Sequence, residues 1–519
     1  MEKFAEARVN GGMITTIDPA DLPLGAFQLV KNARVRFDKT SRRPGGELFV
    51  PLKPDSAPVL KFASLKTQAG VPYTMRLTPS SIHKIDALMA WEALTGTLTG
   101  TVADRFNTAV VFNKLVFANN GADYIQVIDP TFTSFDRLGN APKYRYICGF
   151  YNRIVGFALR DTNEVEVGWS GEAGITGDGL EEWNPMVDET AGSTPLVEST
   201  DDLSDFITGG FSWTNVMIVP REKSIWIGTK QPIPQNPFDF KCIIPGIGCD
   251  TPYSLHNIGD GLGWLDRRTA AVYAYALGGG LEVIGRNIEN EIVKNIDDPA
   301  TIFSAYDPVP NEYTIFIPQA GTELVTGWTY NRRGKTWAQN EYLRLTSVDD
   351  IESGYGGLTI DQLLGMMDEL VPTYDNLSPS SEIFHTRLSG YSTGEAAVEN
   401  VNIDQDINEY EYITTLTSKT FTIPEDDIYV AEIRIEYRAT IGGSFRLEYS
   451  RSGEANGAIG LDWVLAKNIN MTVLGKRRIA KFKKMIRCRV FAFRLVSEDG
   501  LFDILSYEVH VYKAGLSVK

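Results

Sequence analysis

The chain of 519 residues is longer than a single compact core usually is, so two or three domains are expected. The net charge is −16, and most of the acidic excess falls between residues 81 and 400, which excludes a body that grips nucleic-acid phosphates over its whole surface. No apolar run is long enough to span a bilayer, and four scattered cysteines make no disulfide framework, so neither a membrane-spanning protein nor a disulfide-stapled scaffold is expected.

The first distinctive stretch, residues 11–46, predicts an extended N-terminal arm. Glycine and proline recur through its first half, which rules out a long helix and favours turns. Val35 and Phe37 then alternate with charged residues as in a short strand, and a basic turn containing Arg42 and Arg43 follows. The arm could pair with another sheet, lie on a neighbouring subunit, or be an ordinary N-terminal strand with loops. Because it has little core of its own, we expect it to become ordered only against a neighbour.

Between residues 57 and 400 the chain repeats one kind of unit, in which short apolar strands alternate with polar turns. Residues 113–128, 152–170 and 311–337 are examples. The units recur at roughly 40 to 50 residues, the period of β-propeller blades, and the span has room for about six or seven blades. A pair of large β-sandwiches with long loops is the alternative. Within this span, residues 359–370 have apolar positions at helical spacing and predict one helix.

The pattern changes after a stretch rich in serine, glycine, asparagine and acidic residues, 375–410. Alternation of apolar and polar residues in 428–437, 444–450 and 489–495 then predicts a terminal β-sandwich. The sequence therefore predicts an all-β protein in three parts. These are an N-terminal arm with platform strands (1–56), a β-propeller (57–400) and a C-terminal β-sandwich (401–519).

Residues that could carry catalysis are sparse. The four histidines lie outside any nucleophile elbow, and no phosphate-binding loop occurs. Cys242, Cys249 and His256 follow one another too far apart for the usual structural zinc site. We therefore predict no catalytic residue, no metal site and no cofactor, and expect that the chain is not an enzyme. A pair of glycosidase carboxylates among the many acidic residues is the alternative. Residues 331–337 resemble the Asp-box hairpin of sialidase-type propellers, which is structural in those enzymes.

Two distant segments resemble proteins of a known family. Residues 11–46 contain the order Gly-Gly, Asp-Pro, Leu-Pro, Gly, Asn-Ala-Arg-Val-Arg and Arg-Arg-Pro-Gly, and residues 304–337 contain Tyr-Asp-Pro, Asn-Glu-Tyr, Tyr-Asn and Trp. Both orders resemble the β-propeller tail proteins of short-tailed bacteriophages, which are called nozzle or tail tubular protein B, and the related tail hub proteins.

The resemblance implies a structural virion protein that is assembled in the host cytoplasm. Several copies, most often six, would form a ring at the distal end of a short tail, and its channel would retain and then eject the viral DNA. The implied partners are further copies of the chain, a tail adaptor protein, tail fibre or spike proteins, and DNA that passes without sequence-specific binding. The alternative function is a receptor- or glycan-binding tail adhesin, with or without glycosidase activity.

A basic run near the C-terminus is the last signal. Residues 476–494 hold nine lysines and arginines and no acidic residue. They could form a solvated hairpin, contact an acidic neighbouring subunit, or meet DNA at the mouth of a channel. Together with the basic residues of the arm, they define a candidate subunit or partner interface: Arg34, Arg36, Arg42, Arg43, Lys476, Arg477, Arg478, Lys481, Lys483, Arg487 and Arg489.

Overall fold

The computed structural model describes fifteen stretches of the chain: residues 3–36, 38–66, 72–85, 90–128, 131–174, 178–197, 204–276, 279–294, 296, 298–353, 384–400, 403–407, 411–422, 428–452 and 462–513. These residues contain forty β-strands, one short α-helix, α1 (Glu289–Ile292), and the 3-10 turns Asp178–Glu181 and Pro299–Thr301. None of their helices has the length and apolarity that crossing a membrane requires. The helix predicted for residues 359–370 lies outside the described residues.

Five strands precede the propeller, and they matter for its closure: β1 (Lys3–Arg8), β2 (Phe27–Lys31), β3 (Ala33–Val35), β4 (Thr40–Arg42) and β5 (Gly45–Leu48). The propeller has seven blades of four antiparallel strands each. Six of the blades are separate sheets, and blade 6 is part of a ten-stranded sheet. The first four blades are, in order, β6 (Lys61–Lys66), β7 (Pro72–Leu77), β8 (Ile82–Ile85) and β9 (Trp91–Ala93); β10 (Phe106–Val111), β11 (Lys114–Asn119), β12 (Gln126–Ile128) and β13 (Phe135–Arg137); β14 (Tyr144–Phe150), β15 (Arg153–Leu159), β16 (Asn163–Trp169) and β17 (Gly192–Pro195); β18 (Phe211–Trp213), β19 (Val216–Pro220), β20 (Ser224–Lys230) and β21 (Phe238–Pro245).

The last three blades complete the ring. Blade 5 is β22 (His256–Asn257), β23 (Leu262–Asp266), β24 (Ala271–Ala276) and β25 (Gly280–Val283), and blade 6 is β26 (Phe303–Asp307), β27 (Glu312–Pro318), β28 (Leu324–Asn331) and β29 (Thr336–Leu343). Blade 7 combines β30 (Leu345–Ser353), β31 (Phe384–Tyr391) and β32 (Ala396–Asn400) with β5 from the N-terminal segment. The prediction of an all-β propeller with six or seven blades is confirmed.

The second strand of a blade shows why these sequences form blades. Strands β15 and β27 are rich in apolar residues and are buried at every position except the last. A strand is buried along its length when both of its faces are covered, as they are between two packed blades. In β16, next to β15, Glu164 and Glu166 alternate with Val165 and Val167. Blades therefore pack face to face around an axis, and each buries surface that a single four-stranded sheet would expose.

Residues 331–337 lie in the hairpin between β28 and β29. The side chain of Asn331 accepts a hydrogen bond from the backbone of Gly334 (2.9 Å), and Lys335 adopts a left-handed backbone (φ 52°). Trp337 is fully buried and donates from Nε1 to the carbonyl of Ile284 in blade 5 (2.8 Å). The hairpin thus fixes the contact between blades 5 and 6.

Eight strands follow the propeller: β33 (Thr414–Ser418), β34 (Phe421–Thr422), β35 (Ile428–Ala439), β36 (Ser444–Ser452), β37 (Val464–Asn470), β38 (Arg477–Cys488), β39 (Val490–Ser497) and β40 (Phe502–Lys513). They form a β-sandwich, as predicted, with help from the N-terminal strands. One sheet has the order β3-β4-β40-β35-β38, with β1 also paired to β40. The other has the order β2-β33-β39-β36-β37, with β34 paired to β39, and β2 continues it into β29 of blade 6.

The N-terminal segment is extended, but its strands pair within the chain itself. Phe27 and Val30 of β2 are buried in the core of the sandwich, and the backbone of Gly25 donates to the hydroxyl of Tyr507 (3.3 Å). The expectation that the segment becomes ordered only against a neighbouring subunit is therefore corrected, since it has a core through the C-terminal strands. The proposed boundary at residue 56 also separates strands that share sheets with later parts of the chain.

Strand β5 pairs with β32 from Gly45, opposite Asn400, to Leu48, opposite Ala397. Its backbone lies so close to the chain at Gln405 that a side chain at Gly45 would overlap the carbonyl of that residue. Glycine is therefore required at this point for packing. This one short strand closes the ring of blades, because it joins the segment before blade 1 to the sheet of blade 7.

Replacing Gly45 by alanine should lower the free energy of unfolding by about 1–3 kcal/mol, because the added methyl group forces the backbone of β5 away from Gln405. Gly46→Ala is the matched control, since its methyl group would meet its nearest neighbour, Ile407, at 3.7 Å. Urea unfolding followed by tryptophan fluorescence measures both. Equal losses in the two variants would contradict this account of ring closure.

Candidate assembly surface

The basic residues of the N-terminal segment lie inside the molecule. Arg43 donates two hydrogen bonds to the carboxylate of Asp406 (2.8 and 2.6 Å) and one to the carbonyl of Glu341 (2.8 Å). Its guanidinium lies over the rings of Tyr412 (3.7 Å) and Tyr342 (4.5 Å). Tyr342 belongs to blade 6, whereas Arg43 lies between β4 and β5. The contact between Arg43 and Tyr342 therefore attaches the N-terminal segment to the propeller.

Arg34 and Arg42 are also buried. Arg34 forms ion pairs with Glu399 of blade 7 and Glu312 of blade 6, the latter at 3.3 Å. Arg42 donates to four backbone carbonyl groups, which belong to Asp404, Tyr412, Glu498 and Gly500. The prediction that Arg34, Arg42 and Arg43 face a partner is corrected, because all three side chains are buried and bind groups of the same chain. Arg36 is half-buried.

The C-terminal basic residues have a different environment. Strand β38 is the last strand of its sheet, so β35 covers only one of its two sides among the described strands. The seven predicted cations on and beside it are all exposed: Lys476, Arg477, Arg478, Lys481, Lys483, Arg487 and Arg489. These residues remain candidates for an interface.

Two acidic residues of β35 lie close to cations of β38. Glu432 lies opposite Lys483 in the register of β35 and β38, but it already accepts a hydrogen bond from Arg434 (3.1 Å). That hydrogen bond holds the pKa of Glu432 below its usual range. Glu436 lies 3.6 Å from Arg477. The outer side of the strand therefore keeps a positive excess.

Strand β37 ends the second sheet and lies beside β38. The ammonium group of Lys467 donates to the carbonyl of Lys481 (3.0 Å), which joins the two strands across the sandwich. The open edges of both sheets consequently lie on the same side. We refer to β37, β38 and the turn between them, residues 464–489, as the β37–β38 edge.

The β37–β38 edge also exposes large apolar side chains. Met485 is 61% exposed and Ile479 58% exposed, and the edge further exposes Val464, Leu465, Val473 and Leu474. Single exposed apolar residues are ordinary, but a group of them marks a contact surface. Sequence reasoning found the charges and missed this apolar component. The signal was present, since Ile479 and Met485 lie between basic residues in a strand that cannot bury both faces.

An open strand edge offers unpaired backbone groups to any other strand, and lysine residues commonly protect such edges from indiscriminate pairing. The β37–β38 edge combines that protection with apolar area. The arrangement favours a partner with carboxylates placed to meet the cations, and it disfavours a basic or purely apolar one. This selectivity is the chemistry that the surface can supply.

Comparison with known proteins bears on the fold. No family model and no curated protein matches the chain. Among solved structures, a streptogramin B lyase has a TM-score of 0.38 at 11% identity, covering 69% of this chain and 98% of its own. A selenomethionine-substituted virginiamycin B lyase from Staphylococcus aureus has a TM-score of 0.37 at 10% identity, and the match covers 68% of this chain and 97% of the lyase. A quinonprotein alcohol dehydrogenase-like protein from Bacteroides thetaiotaomicron has a TM-score of 0.31 at 12% identity, and the match covers 55% of this chain and 66% of that protein.

These similarities concern the propeller architecture alone, and the seven blades themselves are evident from the strand pairing. The expectation that the chain is not an enzyme is corrected here, because the solved structures with a related fold include lyases. The activities in those names belong to those proteins.

Replacing Arg43 by methionine should lower the free energy of unfolding by about 3–5 kcal/mol, because Asp406 would be left buried and unpaired. The double variant Arg43→Met, Asp406→Asn should recover part of that loss. Arg477→Met, at an exposed position, should change stability by less than about 0.5 kcal/mol. Urea unfolding compares the three, and equal effects of Arg43→Met and Arg477→Met would contradict the buried role of Arg43.

Proposed function

We propose that this chain is a structural virion protein, a nozzle or hub subunit of the tail of a short-tailed bacteriophage. Copies of it would form a ring, a hexamer if the resemblance extends to copy number, that retains the viral DNA and releases it on infection. The observation that carries the proposal is the β37–β38 edge, a cationic and partly apolar surface on a chain whose net charge is −16. The two segments with phage-like residue order support it.

The charges of the propeller make another copy of the chain a suitable partner for this edge. Acidic residues are exposed around the blades, among them Asp136, Asp161, Glu189, Asp239, Asp260 and Glu282. The edge and the acidic blades are different surfaces of one molecule. Contact between two different surfaces is head-to-tail, and it produces a closed ring when the rotation between neighbours closes. Ring assembly therefore needs no partner other than the chain.

Acidic blades also suit a channel that DNA must leave quickly. Duplex DNA is a dense line of negative charge, so a cationic wall would hold it. Repulsion from an acidic wall is screened within about 10 Å at ordinary salt and leaves DNA free to slide along the axis. On this proposal the basic residues of β38 are used in contacts between subunits or with an adaptor protein, and tail fibre or spike proteins attach elsewhere on the ring.

The first test is the state of association of the purified full chain. Mass photometry should detect a species with the mass of a ring at low salt. The ring should dissociate as the salt concentration is raised, since the contact is electrostatic. Lys481→Glu with Lys483→Glu should weaken association at least tenfold, whereas Lys481→Arg with Lys483→Arg, which keeps the charge, should assemble normally. A chain that is monomeric at all concentrations, or a charge reversal without effect, would contradict the proposal.

The second test is a map of the assembled ring by electron microscopy. Exposed acids of the blades that do not contact the β37–β38 edge of a neighbour are expected to face the bore, and Lys481, Lys483, Arg487 and Arg489 are expected at contacts between subunits. A bore lined by these four cations and not by the acids would overturn the sliding mechanism, even if the ring itself forms.

A further inference from the structure

A cavity of about 370 Å³ lies at the axis of the propeller. The first strands of all seven blades line it, from β6 in blade 1 to β30 in blade 7. Glycine and serine residues form part of the wall, including Gly149, Gly210, Ser212 and Ser347. A cavity with a polar lining accommodates water or a polar ligand, whereas an apolar one of this size stays dry.

Four titratable side chains with nitrogen or carboxylate groups line the cavity: Lys61, Arg105, His256 and Asp349. Lys61 and Asp349 form an ion pair, and Asp349 also accepts a hydrogen bond from the backbone of Phe62 (2.8 Å). Burial lowers the pKa of His256, so its imidazole is neutral near pH 7. The charge of Arg105 is therefore the one that remains in the cavity.

Arg105 reaches across the axis. It immediately precedes the first strand of blade 2, yet its guanidinium donates to the carbonyls of Thr301 (3.0 Å), beside blade 6, and Thr346 (2.9 Å), in blade 7. It also lies over the ring of Phe303, 4.4 Å from the centroid. The residue is only 8% exposed. In the part of the chain that the structure describes, no ion pair involves Arg105, which distinguishes it from the buried Arg34 and Arg43.

A buried guanidinium without a carboxylate is costly, since carbonyl groups replace only part of its hydration. Burial lowers the pKa of Arg105 to about 10, so the group stays charged at neutral pH. The carboxylate of Asp349 interacts electrostatically with Arg105, but the same carboxylate already forms an ion pair with Lys61. The cavity thus presents one unbalanced cation, with planar donors suited to oxygen anions, inside a strongly acidic propeller.

We propose that this cavity binds a small oxyanion, a phosphate or a carboxylate, with Arg105 as its countercharge. The volume admits an anion of the size of phosphate or citrate together with water. Lys61 supports the site indirectly, because it neutralises Asp349, which would otherwise repel the ligand. This binding function is independent of ring assembly.

Isothermal titration of the full chain with inorganic phosphate, and separately with citrate, in a buffer free of other oxyanions tests the proposal. The wild-type chain should bind at least one of the two with 1:1 stoichiometry. Arg105→Gln should abolish the binding, Arg105→Lys should retain part of it, and Lys61→Gln should weaken it at least tenfold. Lys335→Gln, which removes an exposed cation from the hairpin of blade 6, is the control and should bind as the wild type does.

Arg105 also joins blades, so Arg105→Gln could unfold the chain, which circular dichroism would detect. In that case the test is the comparison of anion binding by the wild type, Lys61→Gln and Lys335→Gln. The absence of saturable binding to the wild type at millimolar anion, or equal binding to Lys61→Gln and Lys335→Gln, would overturn the proposal. Binding by the wild type that is lost in Lys61→Gln alone would support it.

Discussion

The pairing of β5 with β32 is the constraint on which the architecture depends. A propeller is a ring of sheets, and a ring built from one chain must be closed between its two ends. Here the closing strand comes from before blade 1 and completes the four-stranded sheet of blade 7. The adjoining strands β1 to β4 continue into the sandwich. Propeller and sandwich therefore share one N-terminal segment, and neither is an independent unit.

Buried ion pairs hold this shared segment in place. Arg43 with Asp406 and Arg34 with Glu399 and Glu312 connect it to blades 6 and 7. Such pairs contribute little net stability, but breaking one leaves an uncompensated charge in the interior, which makes alternative positions of the segment costly. The arginines near the N-terminus thus specify how the segment lies, whereas those on and beside β38 are exposed at the surface.

The distribution of charge follows from this division. Some buried arginines pair with carboxylates, whereas Arg42 and Arg105 donate to backbone carbonyl groups and form no ion pair among the described residues. A further group of cations is exposed along the β37–β38 edge. An acidic body with one cationic edge has two complementary surfaces, which is the property that head-to-tail assembly requires. Exposed Ile479 and Met485 add area that charge alone would not bury.

The amino-acid sequence by itself determined that the chain is all-β, that its middle repeats at the period of propeller blades, and that its last hundred residues form a sandwich. These features depend on the alternation of apolar and polar residues and on the spacing of the repeats, both of which can be recognised within each segment of the sequence. Only the tertiary structure decided that β5 belongs to blade 7, that Arg34, Arg42 and Arg43 are internal, and that Arg105 crosses the axis. The reason is physical: a pattern shows which residues form a strand and which face is apolar, but the partner of a strand edge and the counterion of an arginine come from residues hundreds of positions away.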